Sequence, residues 1–295
     1  MKAITPPKID DIEKLCSMAT DKRLSSYPEL SVNYNRIMFS YAKYKTSKGS
    51  ALSPHLSKPL LLSKALKECL IGHYRNKIST LSFIDNWRGN LTPDVCPMCG
   101  SLGKGTIDHF LPKDQYPEFA CFSLNLIPTC LCNSSRSNDS KNCAPNQRLF
   151  HPYFDTIYKL RLVRANITQP VGGDLKTPDL SLSILLNKAD CDYEAVRYHV
   201  DSVVMSNRVL DYFGKLWRKA ESQPNSMFRE ADSLLTQNDF KREVIKTLKF
   251  SDLKYGTKNN WDSMFYAGIL ASKEAIKYLF NRIVDLRTGV ALPED

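Results

Sequence analysis

No stretch of this 295-residue chain approaches a run of about 18 apolar residues, the length below which a helix cannot span a bilayer. The opening segment, MKAITPPKIDDIEK, lacks the apolar region of a secretory signal peptide. No internal repeat or low-complexity tract is present, which excludes solenoid and fibrous classes. These absences lead to the expectation of a soluble, cytoplasmic protein with no membrane partner. In a reducing compartment its nine cysteines, an odd number, read as zinc ligands or free thiols rather than bridges. Cys16, Cys69 and Cys191 stand in apolar, helical-looking stretches and are expected in the core.

The chain is long enough to bury a sizeable core, as one domain or as a core with lobes. Its charge is uneven. Residues 1–90 carry 15 Lys and Arg against 7 Asp and Glu, residues 91–150 carry 5 against 5, and residues 151–295 carry 21 against 19. A basic N-terminal lobe of this kind can supply sequence-independent attraction for phosphate. Within it, residues 33–48 interleave Tyr34, Phe39, Tyr41 and Tyr44 with Arg36, Lys43, Lys45 and Lys48. That pattern fits base stacking, and equally an amphipathic helix with its aromatics in the core.

The densest chemistry lies in CPMCGSLGKGTIDHFLPKDQYPEFACFSLNLIPTCLCN, residues 96–133. Cys96 and Cys99 form a C-x-x-C knuckle, Cys130 and Cys132 a second close pair, and four thiolates suit a tetrahedral structural zinc. A redox dithiol or disulfides are the alternatives. Cys130-Leu131-Cys132 is one residue shorter than the usual knuckle, so Cys121, Cys143 or His151 could stand in for one of its sulfurs. Between the pairs, residues 105–112 (GTIDHFLP) read as a strand in which Asp108 and His109 face opposite sides unless the backbone bends. Asn133 follows Cys132 directly, and residues 134–137 could begin a short helix capped by it.

Phosphodiester hydrolysis needs a base, a divalent cation and something to aim the base. An imidazole is largely neutral at physiological pH, so His109 suits the base. Asp108 and the Asn133 amide oxygen are hard ligands suited to Mg2+ or Mn2+. Asn125 can hold His109 or its loop, and Arg136, Lys141 and Lys113 can meet phosphate. Singly, each residue has a plainer role as cap, turn former or surface cation.

Together, Cys96-x-x-Cys99, Asp108-His109, Asn125-Leu126-Ile127-Pro128 and Cys132-Asn133 resemble an HNH endonuclease with a zinc-stapled ββα-metal core. The runs DHFLPK from Asp108, YPEF from Tyr116 and HPYFD from His151 resemble, less specifically, the HNH subunit of Septu-type anti-phage systems, including those attached to retrons. The resemblance implies that His109 is the general base, that Asp108 and Asn133 bind the catalytic metal, and that Asn125 orients the base. Asparagine as the third letter of the motif favours magnesium or manganese over zinc or nickel at that centre. It also implies an ATPase subunit as partner, with retron RNA-DNA as a further candidate. The alternative is a catalytically inactive, zinc-stapled nucleic-acid-binding or scaffold protein.

The expected fold is α+β and mostly helical: a basic helical lobe over residues 1–90, the nuclease core over 91–155, and a hairpin followed by helices over 156–295. Helical periodicity covers residues 60–87, with an interruption near Gly72, and then 193–220, 227–250 and 261–286. Residues 159–168 and 180–186 pair as a hairpin around Gln169-Pro170-Val171-Gly172-Gly173. The C-terminal helices read as a packing lobe and docking surface without a catalytic constellation.

Overall fold

The computed structural model describes residues 1–76, 78–90, 94–103, 105–132 and 146–289. Helix α1 (Asp11–Thr20) starts where the Asp10 side chain accepts the Glu13 N–H at 2.9 Å, satisfying one of the free first-turn donors. It turns Leu15, Met18 and Ala19 inward, and Cys16 falls on its solvent face instead of in the core. Helix α2 (Glu29–Thr46) buries Leu30, Ile37, Tyr41 and Tyr44 along one stripe. Helix α3 (Lys64–Arg75) is capped by Ser63, which accepts the Leu66 N–H. The interruption expected near Gly72 does not occur. A helical glycine costs only about 1 kcal/mol, and the buried Leu66, Leu70 and His73 carry the helix through it to an end at Asn76. Helix α4 (Phe83–Asn90) follows a 3-10 turn at Ser79–Leu81.

Strands β1 (Thr106–His109) and β2 (Leu126–Thr129) pair antiparallel, with Asp108 opposite Ile127 and His109 opposite Leu126. The expected second hairpin forms from β3 (Val163–Thr168) and β4 (Asp179–Ile184). It starts later than the alternation suggested, because Ile157–Lys159 winds into a 3-10 turn.

The C-terminal helices are more broken than their periodicity. Residues 193–220 divide into α5 (Tyr193–His199), a π turn over Val200–Val204, a 3-10 turn over Met205–Asn207, a left-handed Arg208 with φ +59°, and α6 (Val209–Ser222). Cys191, just before α5, is exposed. Residues 224–226 and 231–233 form 3-10 turns, and α7 (Gln237–Tyr255) begins only at the Thr236–Asp239 capping box. The stretch 261–286 splits at Ser272, whose hydroxyl accepts the Ala275 N–H and so starts a new helix: α8 (Trp261–Ala271) gives way to α9 (Lys273–Thr288). Local capping thus overrides a continuous apolar stripe.

Helix α8 lies directly on β3. At Gly268 a β-carbon would collide with Ala165, so the close approach requires glycine. The fold is α+β and mostly helical, with two small antiparallel sheets among the described residues. One buried apolar cluster runs from Leu15 to Ile283. No helix among the described residues is long and apolar enough to cross a membrane.

Candidate functional site

The β1–β2 hairpin sets the site. Strand alternation turns Ile107 and His109 inward and leaves Asp108 half-buried on the other face. The expected conflict of faces is resolved by the carboxylate, not by a bulge. Asp108 Oδ1 curls back to accept the His109 backbone N–H at 2.7 Å and comes within 3.8 Å of His109 Nδ1. His109 Nε2 lies 2.9 Å from the Ala120 carbonyl oxygen. A carbonyl can only accept, so Nε2 carries a proton, and Nδ1 is the ring nitrogen that faces Asp108. The Tyr74 ring packs edge-on against His109 at 4.4 Å between centroids, and its hydroxyl donates to the Ile107 carbonyl at 2.6 Å. Arg88 reaches over the Tyr74 ring at 5.5 Å while paired with Asp85 at 3.1 Å. Burial pushes the Tyr74 phenol up, opposed by Arg88 and reinforced by Asp108. Tyr74 and Arg88 carried no signal in the sequence, because they enter from α3 and α4, outside the motif.

The long connection from Phe110 to Asn125 presents the Ala120 carbonyl, and Asn125 is its clamp. Its Oδ1 accepts the Leu111 N–H at 2.7 Å and the Tyr44 hydroxyl at 3.0 Å, and its Nδ2 donates to the carbonyls of Leu111 and Phe119. Asn125 is fully buried, and its bonds go to the loop and to Tyr44 of α2, not to the His109 ring. It bears on His109 only through the loop that presents the Ala120 carbonyl. Truncating it would strand several buried partners, at about 1–3 kcal/mol each.

The N-terminal helices hold the same loop. The Asp11 carboxylate accepts the Ser123 N–H at 2.8 Å and its hydroxyl at 2.7 Å. Tyr41 stacks on Phe122 at 4.1 Å, and Tyr44 meets Phe119 and Phe122 edge-on. Stacking of Tyr41 and Tyr44 on bases is therefore excluded, since both rings are spent in the core. Glu118 Oε1 accepts the Leu60 N–H at 2.8 Å. Burial raises the Glu118 carboxyl above its ordinary value of 4.5, despite the Leu60 bond. A raised folded-state value means that stability is lost as pH climbs from 4.5 upward, because folding then demands a buried charge or a retained proton. Glu118→Gln keeps an acceptor for Leu60 and removes the charge. Its melting temperature should match the parent below the ordinary glutamate range and exceed it at pH 8. A lower value at pH 8 would contradict this account.

The four cysteines converge as expected. Sγ atoms of Cys96, Cys99, Cys130 and Cys132 all lie within 4.8 Å of one another, with Cys96–Cys132 at 3.7 Å and Cys99–Cys130 at 3.4 Å. A zinc tetrahedron with bonds of about 2.3 Å has sulfur–sulfur edges near 3.8 Å, so the cluster fits a structural metal such as zinc. The shortened Cys130-x-Cys132 pair reaches the cluster with both sulfurs. Two of the three replacements considered are otherwise engaged: Cys121 packs against the Leu70 carbonyl, its thiol pushed up to about 12 by burial, and His151 bonds Tyr44 and the Tyr153 N–H. Hydrogen bonds from Cys132, Cys96 and Cys99 hold the Cys130 thiol far below the usual thiol range.

Outer partners tie the cluster to the C-terminal half. Asn207 Nδ2 donates to the sulfurs of Cys99 and Cys130 at 3.3 Å each. The Trp261 indole donates to the Cys99 carbonyl at 2.9 Å, and His199 Nε2 donates to the Met98 carbonyl at 2.8 Å. At Gly100, φ is +82° and a β-carbon would strike the Asn259 carbonyl. Asn207 was missed in the sequence because the 3-10 turn that carries it, directly after the π turn, has no periodic signature.

Asn133, Arg136, Lys141 and Cys143 lie outside the described residues, as does the short helix expected over 134–137. Lys113 is half-buried in the turn that follows His109. On α2, Phe39 is exposed between Arg36 and Lys43 along a groove of about 510 Å³ that His55 and Leu60 also line.

No family model matches the chain, and no solved structure matches it. It is similar to "Protein ea31" of Escherichia phage lambda, with 28% identity over 160 residues, covering 52% of this chain and 53% of that protein. The chain thus spans about half the length of the curated relative it matches.

Proposed function

We propose that the chain is a metal-dependent nuclease of the HNH type, built on a zinc-stapled ββα-metal core, and the effector of an anti-phage defence system. The observation that carries this reading is a carboxylate and an imidazole meeting on one hairpin, with Asp108 Oδ1 3.8 Å from His109 Nδ1, bracketed by four clustered cysteines. In this reading His109 Nδ1 takes the proton from water as the oxygen attacks phosphorus and the bond to the leaving oxygen breaks. Mg2+ or Mn2+, held by Asp108 and Asn133, would neutralise charge on the phosphate and leaving oxygen. The Tyr74 ring and the Ala120 carbonyl hold the imidazole in one orientation, and Arg88 lies over the Tyr74 ring. An ATPase partner and retron RNA-DNA belong to the same proposal through the Septu resemblance alone.

The deciding experiment incubates the purified protein with plasmid, single-stranded DNA and tRNA in magnesium, manganese or EDTA, with and without a co-expressed genomic-neighbour ATPase. Metal-dependent cleavage is expected. No cleavage of any substrate under any condition would leave a zinc-stapled binding or scaffold protein.

The α2 groove supplies a second check. Lys43, Lys45 and Lys48 are all exposed, but burial raises the Asp11 carboxyl and Lys45 is among the groups that oppose that rise, so Lys45 is left in place. Lys43→Glu with Lys48→Glu should weaken nucleic-acid binding in EDTA and flatten its salt slope by up to about 2, roughly one for each phosphate that is no longer neutralised. An unchanged slope would return this face to the role of a solvated helix surface.

A further inference from the structure

A cleft of about 690 Å³ opens between α6, α7 and α8, and the proposed nuclease chemistry makes no use of it. Its size falls within the roughly 300–1,000 Å³ of small-molecule sites. Asp262, in the first turn of α8, lines it and accepts a short hydrogen bond from the Tyr212 hydroxyl of α6. Tyr255 and Tyr266 line the same cleft, with Phe250 and Met227. Flat apolar surface and a carboxylate therefore share one concavity.

The cations are distributed unequally. Lys246 is held by Glu230 at 2.9 Å and Glu243 at 3.4 Å, which neutralises that side. Arg229 lies over the Phe250 ring at 5.3 Å and Lys254 over the Tyr255 ring at 4.9 Å. Among the described residues, Arg229, Lys254 and Lys219 are in no ion pair with a carboxylate, and all three are exposed lining residues. With Lys246 they make four lining cations against the carboxylates of Glu230, Glu243 and Asp262, a rim with a net positive charge of one above an aromatic wall.

A ligand that satisfies all three features needs an anionic end for the rim, a flat π-system for the tyrosines and Phe250, and N–H donors for Asp262. Phosphate is the anion that lysine and arginine bind best together, and a nucleobase is the flat body. A carboxylate is best matched by two adjacent donors, which guanine presents through its N1–H and N2 amino group. The adenine edge offers a donor beside an acceptor, which would face a carboxylate oxygen. We propose that this cleft is a guanine-nucleotide site, with the base edge on Asp262 and the phosphates at Lys219, Arg229 and Lys254. It stands independently of the nuclease reading and contains none of its residues.

Calorimetric titration of the full chain at pH 8 in EDTA tests it, with GMP, GTP, AMP, ATP and inorganic pyrophosphate as probes. Burial raises Asp262 above its ordinary value, against the Tyr212 bond and the pull of Lys254 and Lys219, so the titration is run well above the ordinary carboxylate range. GTP should bind at least about tenfold more tightly than ATP, the minimum expected when a hydrogen-bonding edge is mismatched. Asp262→Asn keeps an acceptor for Tyr212 but exchanges one carboxylate oxygen for an amide donor. It should erase the guanine preference while ATP binding persists. Lys254→Ala, a change on the exposed rim, should weaken GTP and ATP alike and GMP less. Pyrophosphate binding equal to that of GTP would mean a plain anion patch and overturn the proposal. So would adenine preference, absence of binding by every nucleotide, or unchanged guanine selectivity in Asp262→Asn. Because divalent metal is withheld, failure here leaves the nuclease assay untouched, and the reverse holds equally.

Discussion

In His109→Ala, cleavage should fall at least about a hundredfold, the low end for a positioned acid-base group, while the fold and nucleic-acid binding persist. The fold should persist because His109 bonds the Ala120 carbonyl at a site held separately by Asn125, by Asp11 through Ser123, and by the Tyr41 and Tyr44 rings. Removing the ring leaves a cavity beside Tyr74, not a collapsed loop. Asp108→Ala should cut cleavage at least as deeply and should in addition raise the magnesium or manganese concentration needed for residual activity. Among the described residues it gives up the bond to the His109 N–H, on a half-buried face. Equal rates for wild type and His109→Ala, on one substrate with one metal, would place the chemistry elsewhere or in a contaminant.

Elemental analysis should find one zinc per chain, and its removal should unfold the protein cooperatively. Structural zinc contributes about 10–16 kcal/mol in small sites, against a typical domain stability of about 5–15 kcal/mol. The loss would spread because the knuckle carbonyls of Met98 and Cys99 hold His199 and Trp261 from the other half of the chain. Trp261 is 7% exposed, so its emission should shift to the red as chelation proceeds. Cys130→Ser should lose metal and stability together. Asn207→Ala, which removes two N–H···S bonds, should weaken zinc binding by about 10–100-fold with little change in the metal-loaded fold. A metal-free chain that melts normally would refute the staple.

The site was legible where chemistry is written in adjacent letters. Asp108-His109 and the cysteine spacing are local, and the backbone needed only to form a hairpin to bring them together. Asn125 was legible as a residue that holds the His109 loop, though not as the four-bond clamp it is, because its partners Leu111, Phe119 and Tyr44 lie at separations that no motif encodes. Tyr74, Arg88 and Asn207 were invisible for the same reason. Helix boundaries failed at Ser272, Gln237 and Val200–Val204, where capping and a π turn broke stripes that remain apolar throughout. Cys16 and Cys191 show the limit of composition, since an apolar neighbourhood in sequence does not fix which way one thiol points.

The bonds that Asn207 and Trp261 make to the cysteine knuckles have a consequence for the order of events on the ribosome. Cys132 is synthesised well before either residue, and Trp261 follows it by 129 positions (261 − 132). At about 5–20 residues per second, the four thiols exist for roughly 6–26 s before Trp261 does. Metal entering in that interval meets a knuckle that the C-terminal half does not yet hold, and metal arriving later meets one whose outer bonds are already made. Zinc supplied during translation and zinc added to finished apo-chain are therefore different treatments, and the history of a preparation becomes part of its metal content.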